Sequence, residues 1–258
     1  MAKLAFNEYG SDGPPLIVMH GLFGSARNWA SIARTLSNDC RIYSLDMRNH
    51  GGSPWMPSMT YEEMAGDAAD FIAAQDLSGA VVMGHSMGGK VAMRLALEKP
   101  DLMKGLIVVD IAPATYGHDM LDYITAMQLM DLSGEQRRSE LEEELRGEFD
   151  DPGVAAFLMT NLERANGGFQ WRINLQAISA GMSAIGAFPV PNGGSYDGPA
   201  LFIAGENSAY IRADHHDRIS ELFPNARTVT IKDAAHWVHV DKPDEFVETV
   251  KAFLGAVG

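Results

Sequence analysis

The chain has 258 residues, one cysteine and a formal net charge of −14. A chain of this length can bury enough apolar surface to fold without disulfides or a structural metal. Cys40 has no partner for an internal disulfide, which favours a reducing compartment such as the cytoplasm. The negative charge argues against nucleic acid or an anionic membrane as a partner, and no apolar run reaches signal-peptide or membrane-spanning length. We therefore expect a soluble cytoplasmic protein.

Short apolar segments rich in β-branched residues alternate with helical segments along the chain. Strands are predicted at 16–20, 41–47, 80–84, 105–111, 200–205 and 227–232. Their nearly continuous apolar character is typical of parallel strands that are covered on both faces. Helices are predicted at 25–37, 60–77, 86–100 and 242–258. This alternation predicts the α/β class, with a mostly parallel sheet flanked by helices.

The alternation of strands and helices breaks once, between the strands at 105–111 and 200–205. The intervening chain contains several amphipathic helices and no convincing strand. A loop of this length without secondary structure would be improbable. We therefore predict a helical cap over residues 113–196, inserted into a core formed by 1–112 and 197–258.

The segment from Gly84 to Gly88 reads G-x-S-x-G and lies between a predicted strand and a predicted helix. This context is typical of the nucleophile elbow of serine hydrolases, in which the serine sits on a strained turn. Ser86 is the predicted nucleophile. The N–H of Met87, at the start of the helix, is a predicted oxyanion donor. The alternative is a glycine-rich turn with an idle serine.

A second oxyanion donor is expected from residues 20–25, "HGLFGS", which follow the first predicted strand and are called the oxyanion loop below. Leu22 is the first choice of donor and Phe23 the second, and Phe23 is also a candidate for the pocket wall. The loop matches neither the dinucleotide-binding pattern nor the P-loop pattern. The general base is predicted to be His236, on the loop between the last strand and the last helix, with His239 as the alternative.

These motifs, with "DMRNHGGS", "VVDIAP" and "AAHWVHVDKP", span almost the whole chain. Together they resemble the α/β-hydrolase superfamily, and within it the small bacterial esterases of the YbfF type and the mammalian abhydrolase-domain-11 proteins. The resemblance implies the α/β-hydrolase fold with a helical cap inserted after the sixth strand. It also implies a serine-hydrolase mechanism on acyl esters or thioesters, which requires no metal or organic cofactor. Ala235 departs from the pattern, since many relatives have glycine there.

The acid of the triad is the least regular element of the resemblance. Most of the superfamily carries it after the strand that follows the cap, where this chain has Ser208. Glu206 lies nearby, one residue past the strand. Asp110 lies at the carboxyl end of the preceding strand, from which the YbfF-like group draws its acid. We predict Asp110 as the acid; a loop-capping role for Asp110 and an acid role for Glu206 are the alternatives.

The predicted function is hydrolysis of carboxylic esters or thioesters of small to medium acyl groups through a Ser-His-Asp triad and an acyl-enzyme. Met127 and Trp171 of the cap join Phe23 as candidates for the pocket wall, although most cap methionines and aromatics are expected to hold the cap to the core. The alternatives are a binding protein with negligible turnover and a perhydrolase or C–C bond hydrolase that uses the same triad. The only partner expected is a small-molecule substrate, and no oligomeric state is predicted.

Overall fold

The computed structural model describes residues 2–117, 120–134, 136–165, 167–191 and 194–258. Its main sheet has seven strands in the order β1-β3-β2-β4-β5-β8-β9. Only β1 runs antiparallel to its neighbour, and the other pairs are parallel. The strands are β1 (Phe6–Tyr9), β2 (Pro15–Met19), β3 (Arg41–Leu45), β4 (Ala80–His85), β5 (Met103–Val109), β8 (Ala200–Gly205) and β9 (Ala226–Ile231).

All six predicted strands are present, and the α/β class and the mostly parallel sheet are confirmed. Strand β1 is not among the predicted strands. This edge strand has four residues, and all of them are partly or fully exposed. It therefore lacks the continuous apolar run by which the interior strands were recognised.

Ten helices are described, and the four predicted ones are present among them. The helices are α1 (Ala30–Leu36), α2 (Tyr61–Ala74), α3 (Met87–Glu98), α4 (Leu121–Leu129), α5 (Arg138–Arg146), α6 (Pro152–Met159), α7 (Leu175–Gly186), α8 (His216–Leu222), α9 (Val238–Asp241) and α10 (Pro243–Val257). The Thr60 hydroxyl accepts from the N–H of Glu63, and the Glu63 carboxylate accepts from the N–H of Thr60 at 3.0 Å. This reciprocal pair is a capping box at the start of α2.

Helices cover both faces of the sheet. Strand β4 is buried at all six positions, and its side chains alternate between the two faces. Val81 and Met83 belong to one core cluster. This cluster also contains Trp29, which precedes α1, and Phe246, which lies in α10. Val82 belongs to the cluster that contains residues of α2, α3 and the cap. Strand β4 therefore lies at the centre of the sheet, between two apolar layers.

The insertion between β5 and β8 holds α4 to α7 and an antiparallel hairpin of β6 (Leu162–Ala165) and β7 (Gly168–Trp171). It follows the fifth strand of the chain and not the sixth, because only five strands precede it. The expectation that it contains no strand is wrong. Each hairpin strand has four residues with mixed polar and apolar side chains, too short for a clear alternation.

Side chains of α2 and α3 bind the carbonyl groups at the end of the insertion. The hydroxyl of Tyr61 donates to Ile185 O at 2.7 Å. The ammonium group of Lys90 donates to Gly186 O at 2.8 Å and to Ala187 O at 2.9 Å. These bonds satisfy carbonyl groups at the carboxyl end of α7, which have no partner within the helix. Within the described ranges, none of the helices combines the length and the apolar character that a membrane span requires.

Candidate active site

Ser86 occupies a strained turn between β4 and α3. Its backbone has φ +51° and ψ −117°, a region that a non-glycine residue adopts only when the surrounding structure enforces it. The Ser86 N–H donates to Val109 O at 3.0 Å, which fixes the turn against β5. A Cβ atom on Gly84 would overlap the carbonyl of Gly88, and a Cβ on Gly88 would overlap that of Met19. The two glycines of G-x-S-x-G are therefore required by the close approach of backbone to backbone.

The oxyanion loop presents Leu22 beside Ser86. The carbonyl of Gly21, in the same peptide unit as the Leu22 N–H, accepts from His20 Nδ1 at 2.8 Å and from the Gly24 N–H at 2.9 Å. The Phe23 N–H instead donates to the ring of a buried histidine, His50 Nε2, at 3.2 Å. Since this bond occupies the Phe23 N–H, Leu22 is the better oxyanion donor of the two. Leu22 and Met87 line one cavity together with Ser86.

Asp110 and His236 are hydrogen-bonded, although 126 positions separate them in the chain. His236 Nδ1 lies 2.8 Å from Asp110 Oδ2, and Asp110 is fully buried at the carboxyl end of β5. The carboxylate also accepts from the Gly205 N–H at 3.0 Å and from the hydroxyl of Ser208. Three donors thus converge on one buried carboxylate and fix its orientation.

Ser208, at the position where most of the superfamily carries its acid, donates its hydroxyl to Asp110 instead. The Ser208 Oγ in turn accepts from the N–H of Tyr210 at 3.2 Å, and the ring of Tyr210 stacks on His236 at 4.1 Å between centroids. Glu206 is exposed and accepts from the N–H of Asp233 at 3.0 Å. Ser208 and Tyr210 were not predicted as site residues. A signal for Ser208 was available, because it occupies the position at which most of the superfamily carries the acid.

Two further histidines pack beside His236. His85 Nε2 lies 2.9 Å from the carbonyl oxygen of His236, so this nitrogen must carry a proton. His239 stacks on Trp29 at 4.2 Å between ring centroids, and burial lowers the pKa of His239 to about 3. His239, the alternative base, is thus a neutral packing residue, whereas His236 reaches the carboxylate.

Two cavities meet at Ser86. The smaller, of about 50 Å³, is lined by His236, Phe23 and Trp237 among others. The larger, of about 430 Å³, extends under the cap, and its wall combines apolar residues with Lys90 and the two phenols of Tyr61 and Tyr116. The apolar wall of the larger cavity includes Leu22, Met87, Ile111, Met120, Met182, Ile185 and Ala209.

The predicted pocket residues separate into two groups. Phe23 lines the smaller cavity. Met127 and Trp171 belong to neither of the two cavities. Met127 is fully buried, and the indole N–H of Trp171 donates to Met127 O at 2.9 Å inside the cap. Both residues were identified by composition alone, which does not distinguish a cap interior from a cap surface that faces the core.

Ser86 and His236 line the smaller cavity together, and no hydrogen bond joins them among the described residues. Such a bond is often long in the absence of substrate and shortens in the reacting complex. The part of the chain that the structure describes contains no group of three or more His, Cys, Asp or Glu side chains arranged to hold a metal ion. The arrangement offers a nucleophile, a base, an acid and backbone donors at the mouth of an apolar cavity.

Comparison with known proteins identifies the family. The family model for the α/β hydrolase fold matches residues 14–243. The sn-1-specific diacylglycerol lipase ABHD11 of Danio rerio is 42% identical over 94% of this chain and 79% of its own length. Esterase YbfF of Escherichia coli is 36% identical over 98% of this chain and 97% of its own.

Among solved structures, a marine microorganism esterase superposes with a TM-score of 0.96 at 38% identity, covering 98% of this chain and 100% of that one. The resemblance read from the motifs is thus confirmed, including its YbfF-type and abhydrolase-domain-11 relatives. The chain belongs to the α/β-hydrolase fold family and is a carboxylic ester hydrolase.

Proposed function

We propose that the protein hydrolyses carboxylic esters or thioesters of small to medium acyl groups through a Ser86-His236-Asp110 triad. The observation that carries this proposal is the bond of 2.8 Å between His236 Nδ1 and Asp110 Oδ2. Because Asp110 accepts the hydrogen bond from Nδ1 of His236, this nitrogen carries the ring proton. The other ring nitrogen, Nε2, is left unprotonated and available as the base for Ser86.

The reaction would proceed in two acyl-transfer steps. Ser86 Oγ attacks the acyl carbon while His236 Nε2 takes its proton, and the N–H groups of Met87 and Leu22 bind the resulting oxyanion. His236 then protonates the leaving alcohol or thiol, which departs and leaves Ser86 acylated. A water molecule, deprotonated by His236, then attacks the acyl carbon. The bond between this carbon and Ser86 Oγ breaks, His236 returns the proton to Oγ, and the carboxylic acid is released. The side chain of Asp110 orients His236 and stabilises the imidazolium in both steps.

The substrate class follows from the cavity under the cap. Its volume of about 430 Å³ lies in the range of small-molecule pockets. Met120 and Met182 in its wall can adapt to acyl chains of different shape. The relatives named as a diacylglycerol lipase and as esterases act on esters, which supports the same bond type here.

We further propose that the protein acts in the cytoplasm on a small-molecule substrate. Its single cysteine, Cys40, is buried and unpaired, and burial raises the pKa of this thiol to about 11, which keeps it unreactive. The net charge of −14 disfavours nucleic acid as a partner.

The test combines labelling with turnover. A fluorophosphonate probe should label the wild-type protein covalently, and Ser86→Ala should abolish both labelling and hydrolysis of p-nitrophenyl esters. A panel of p-nitrophenyl esters and acyl thioesters of increasing chain length would define the acyl range. A wild-type protein that neither reacts with the probe nor turns over any ester would show that the fold serves only for binding. Turnover of peroxide or of a C–C bond in preference to esters would support the other use of the same triad.

A further inference from the structure

We propose that Asn161, a side chain of the cap, is a positioning residue for the oxyanion hole and acts through Phe23. This inference rests on the proposed function. Asn161 lies between α6 and β6 and is 2% exposed. Its side-chain amide Nδ2 donates to Phe23 O at 2.7 Å, so a direct hydrogen bond joins the cap to the loop that presents the oxyanion donor.

Phe23 is held at both of its backbone polar atoms by groups from outside the oxyanion loop. Its carbonyl accepts from Asn161, and its N–H donates to His50 Nε2 at 3.2 Å. His50 Nδ1 lies 3.0 Å from Arg48 O, so Nδ1 carries the proton and Nε2 must accept. The ring is therefore neutral, in agreement with a pKa lowered to about 3 by burial.

The conformation of Phe23 needs such support. Its φ of +61° lies in the left-handed region, which costs a non-glycine residue energy that other contacts must offset. The carbonyl of Leu22 and the N–H of Phe23 share one peptide unit. A rotation at Phe23 would therefore turn this unit and displace Leu22, together with the N–H that faces the oxyanion. Asn161 and His50 together prevent that rotation.

Asn161 is itself fixed within the cap. Its N–H donates to Leu158 O at 3.0 Å, and its carbonyl accepts from the N–H of Arg172 at 2.8 Å. The guanidinium of Arg138 donates to the next carbonyl along the chain, Leu162 O, at 2.9 Å. The backbone at Asn161 is thus held from three directions, and its amide reaches Phe23 from a rigid support, as a positioning group requires.

The experiment compares two substitutions of the same chemical type. Asn161→Asp removes the amide donor to Phe23. The control, Asn174→Asp, removes another donor between cap and core, since Asn174 Nδ2 donates to Asn49 Oδ1 at 3.2 Å. Asn174 also caps α7 through its oxygen, and aspartate preserves that function. Of these two amides, the one at Asn161 contacts the oxyanion loop.

We expect Asn161→Asp to lower kcat for a p-nitrophenyl ester by about 10-fold to 100-fold at pH 8, because a small displacement of an oxyanion donor weakens stabilisation of the transition state. KM should stay within about twofold of wild type, since the ground-state ester makes weaker use of the donor. Asn174→Asp should leave both parameters within about threefold. Inhibition by a trifluoromethyl ketone, which presents a tetrahedral oxyanion, should weaken in Asn161→Asp by the same factor as kcat/KM.

The pH dependence separates positioning from mere packing. The carboxyl introduced by Asn161→Asp would face the carbonyl oxygens of Phe23 and Leu158, which disfavour its ionised form. Once protonated, it can donate to Phe23 O again. The kcat of this variant relative to wild type should therefore rise as the pH falls, whereas the ratio for Asn174→Asp should stay flat.

An unchanged kcat in Asn161→Asp would overturn the inference, and so would equal losses in both variants with a raised KM, which would indicate cap docking. Should Asn161→Asp fail to fold, Asn161→Ser must give the same loss of kcat with an unchanged KM. An Asn161→Ser variant with wild-type kcat would likewise overturn the inference. Failure of the proposed function has a different signature. Wild type and Asn174→Asp would then both be inactive and unlabelled by fluorophosphonate, and the inference would fall with it.

Discussion

Asp110→Asn tests the least regular part of the site. The carboxylate of Asp110 accepts three hydrogen bonds, from the Gly205 N–H, the Ser208 hydroxyl and His236 Nδ1. An amide can keep its oxygen toward the Gly205 N–H, which then directs its NH₂ group toward Ser208 and His236. The hydroxyl of Ser208 can rotate and accept instead. His236 Nδ1 can accept only if the ring proton moves to Nε2.

That change of tautomer removes the base, because a protonated Nε2 cannot take the proton of Ser86. The imidazolium formed in the transition state also loses its negative neighbour. Removal of the corresponding carboxylate in another serine hydrolase lowers kcat by about 10⁴. We expect a similar loss here, about 10³ to 10⁴, which corresponds to roughly 4 to 5.5 kcal/mol of transition-state stabilisation.

The assay is steady-state hydrolysis of a p-nitrophenyl ester, with thermal unfolding to confirm that the variant folds. Glu206→Gln is the matched control, since it makes the same carboxylate-to-amide change at an exposed position that accepts from the Asp233 N–H. It should retain activity within about twofold. Full activity in Asp110→Asn together with a large loss in Glu206→Gln would refute the reasoning and leave Asp110 as a loop-capping residue.

Three further substitutions probe the elbow and the buried ionisable groups. Gly88→Ala should destabilise the fold by about 3 kcal/mol or more in urea unfolding, because the new methyl group overlaps the Met19 carbonyl. Desolvation lowers the pKa of Lys90 to about 7, so the wild type should gain free energy of unfolding relative to Lys90→Met as the pH rises from about 7 to 10.5. Burial lowers the pKa of His239 to about 3, so stability should fall between pH 6.5 and 3, and His239→Phe, which can still stack on Trp29, should reduce this loss in acid unfolding.

The contrary results are equally specific. A Gly88→Ala protein of wild-type stability would mean that the elbow can widen. A constant difference between wild type and Lys90→Met across that pH range would mean that Lys90 keeps its ordinary pKa in the folded protein. An unchanged acid transition in His239→Phe would indicate that other groups, such as His50, account for the acid sensitivity.

The sequence alone predicted the α/β-hydrolase fold and the strand–turn–helix segment that holds Ser86. The interior strands are nearly continuous apolar runs because both faces of a parallel sheet are covered there, and that signal is local. The glycines around Ser86 are local too, since the strand–turn–helix geometry excludes side chains at Gly84 and Gly88. In contrast, strands β1, β6 and β7 have only four residues each. Such short strands show no clear apolar pattern in the sequence.

Only the tertiary structure decided which side chains meet. From sequence, Asp110 and Glu206 were both possible acids, and Leu22 and Phe23 were both possible oxyanion donors. Asp110 reaches His236 because the strands that precede these two residues, β5 and β9, lie on either side of β8 in the sheet. The N–H of Phe23, in contrast, is occupied by its hydrogen bond to His50. Asn161 carries no motif at all, and it contacts Phe23 across 138 positions of the chain. Hydrogen bonds over such separations depend on how the cap docks on the sheet, which local propensity does not encode.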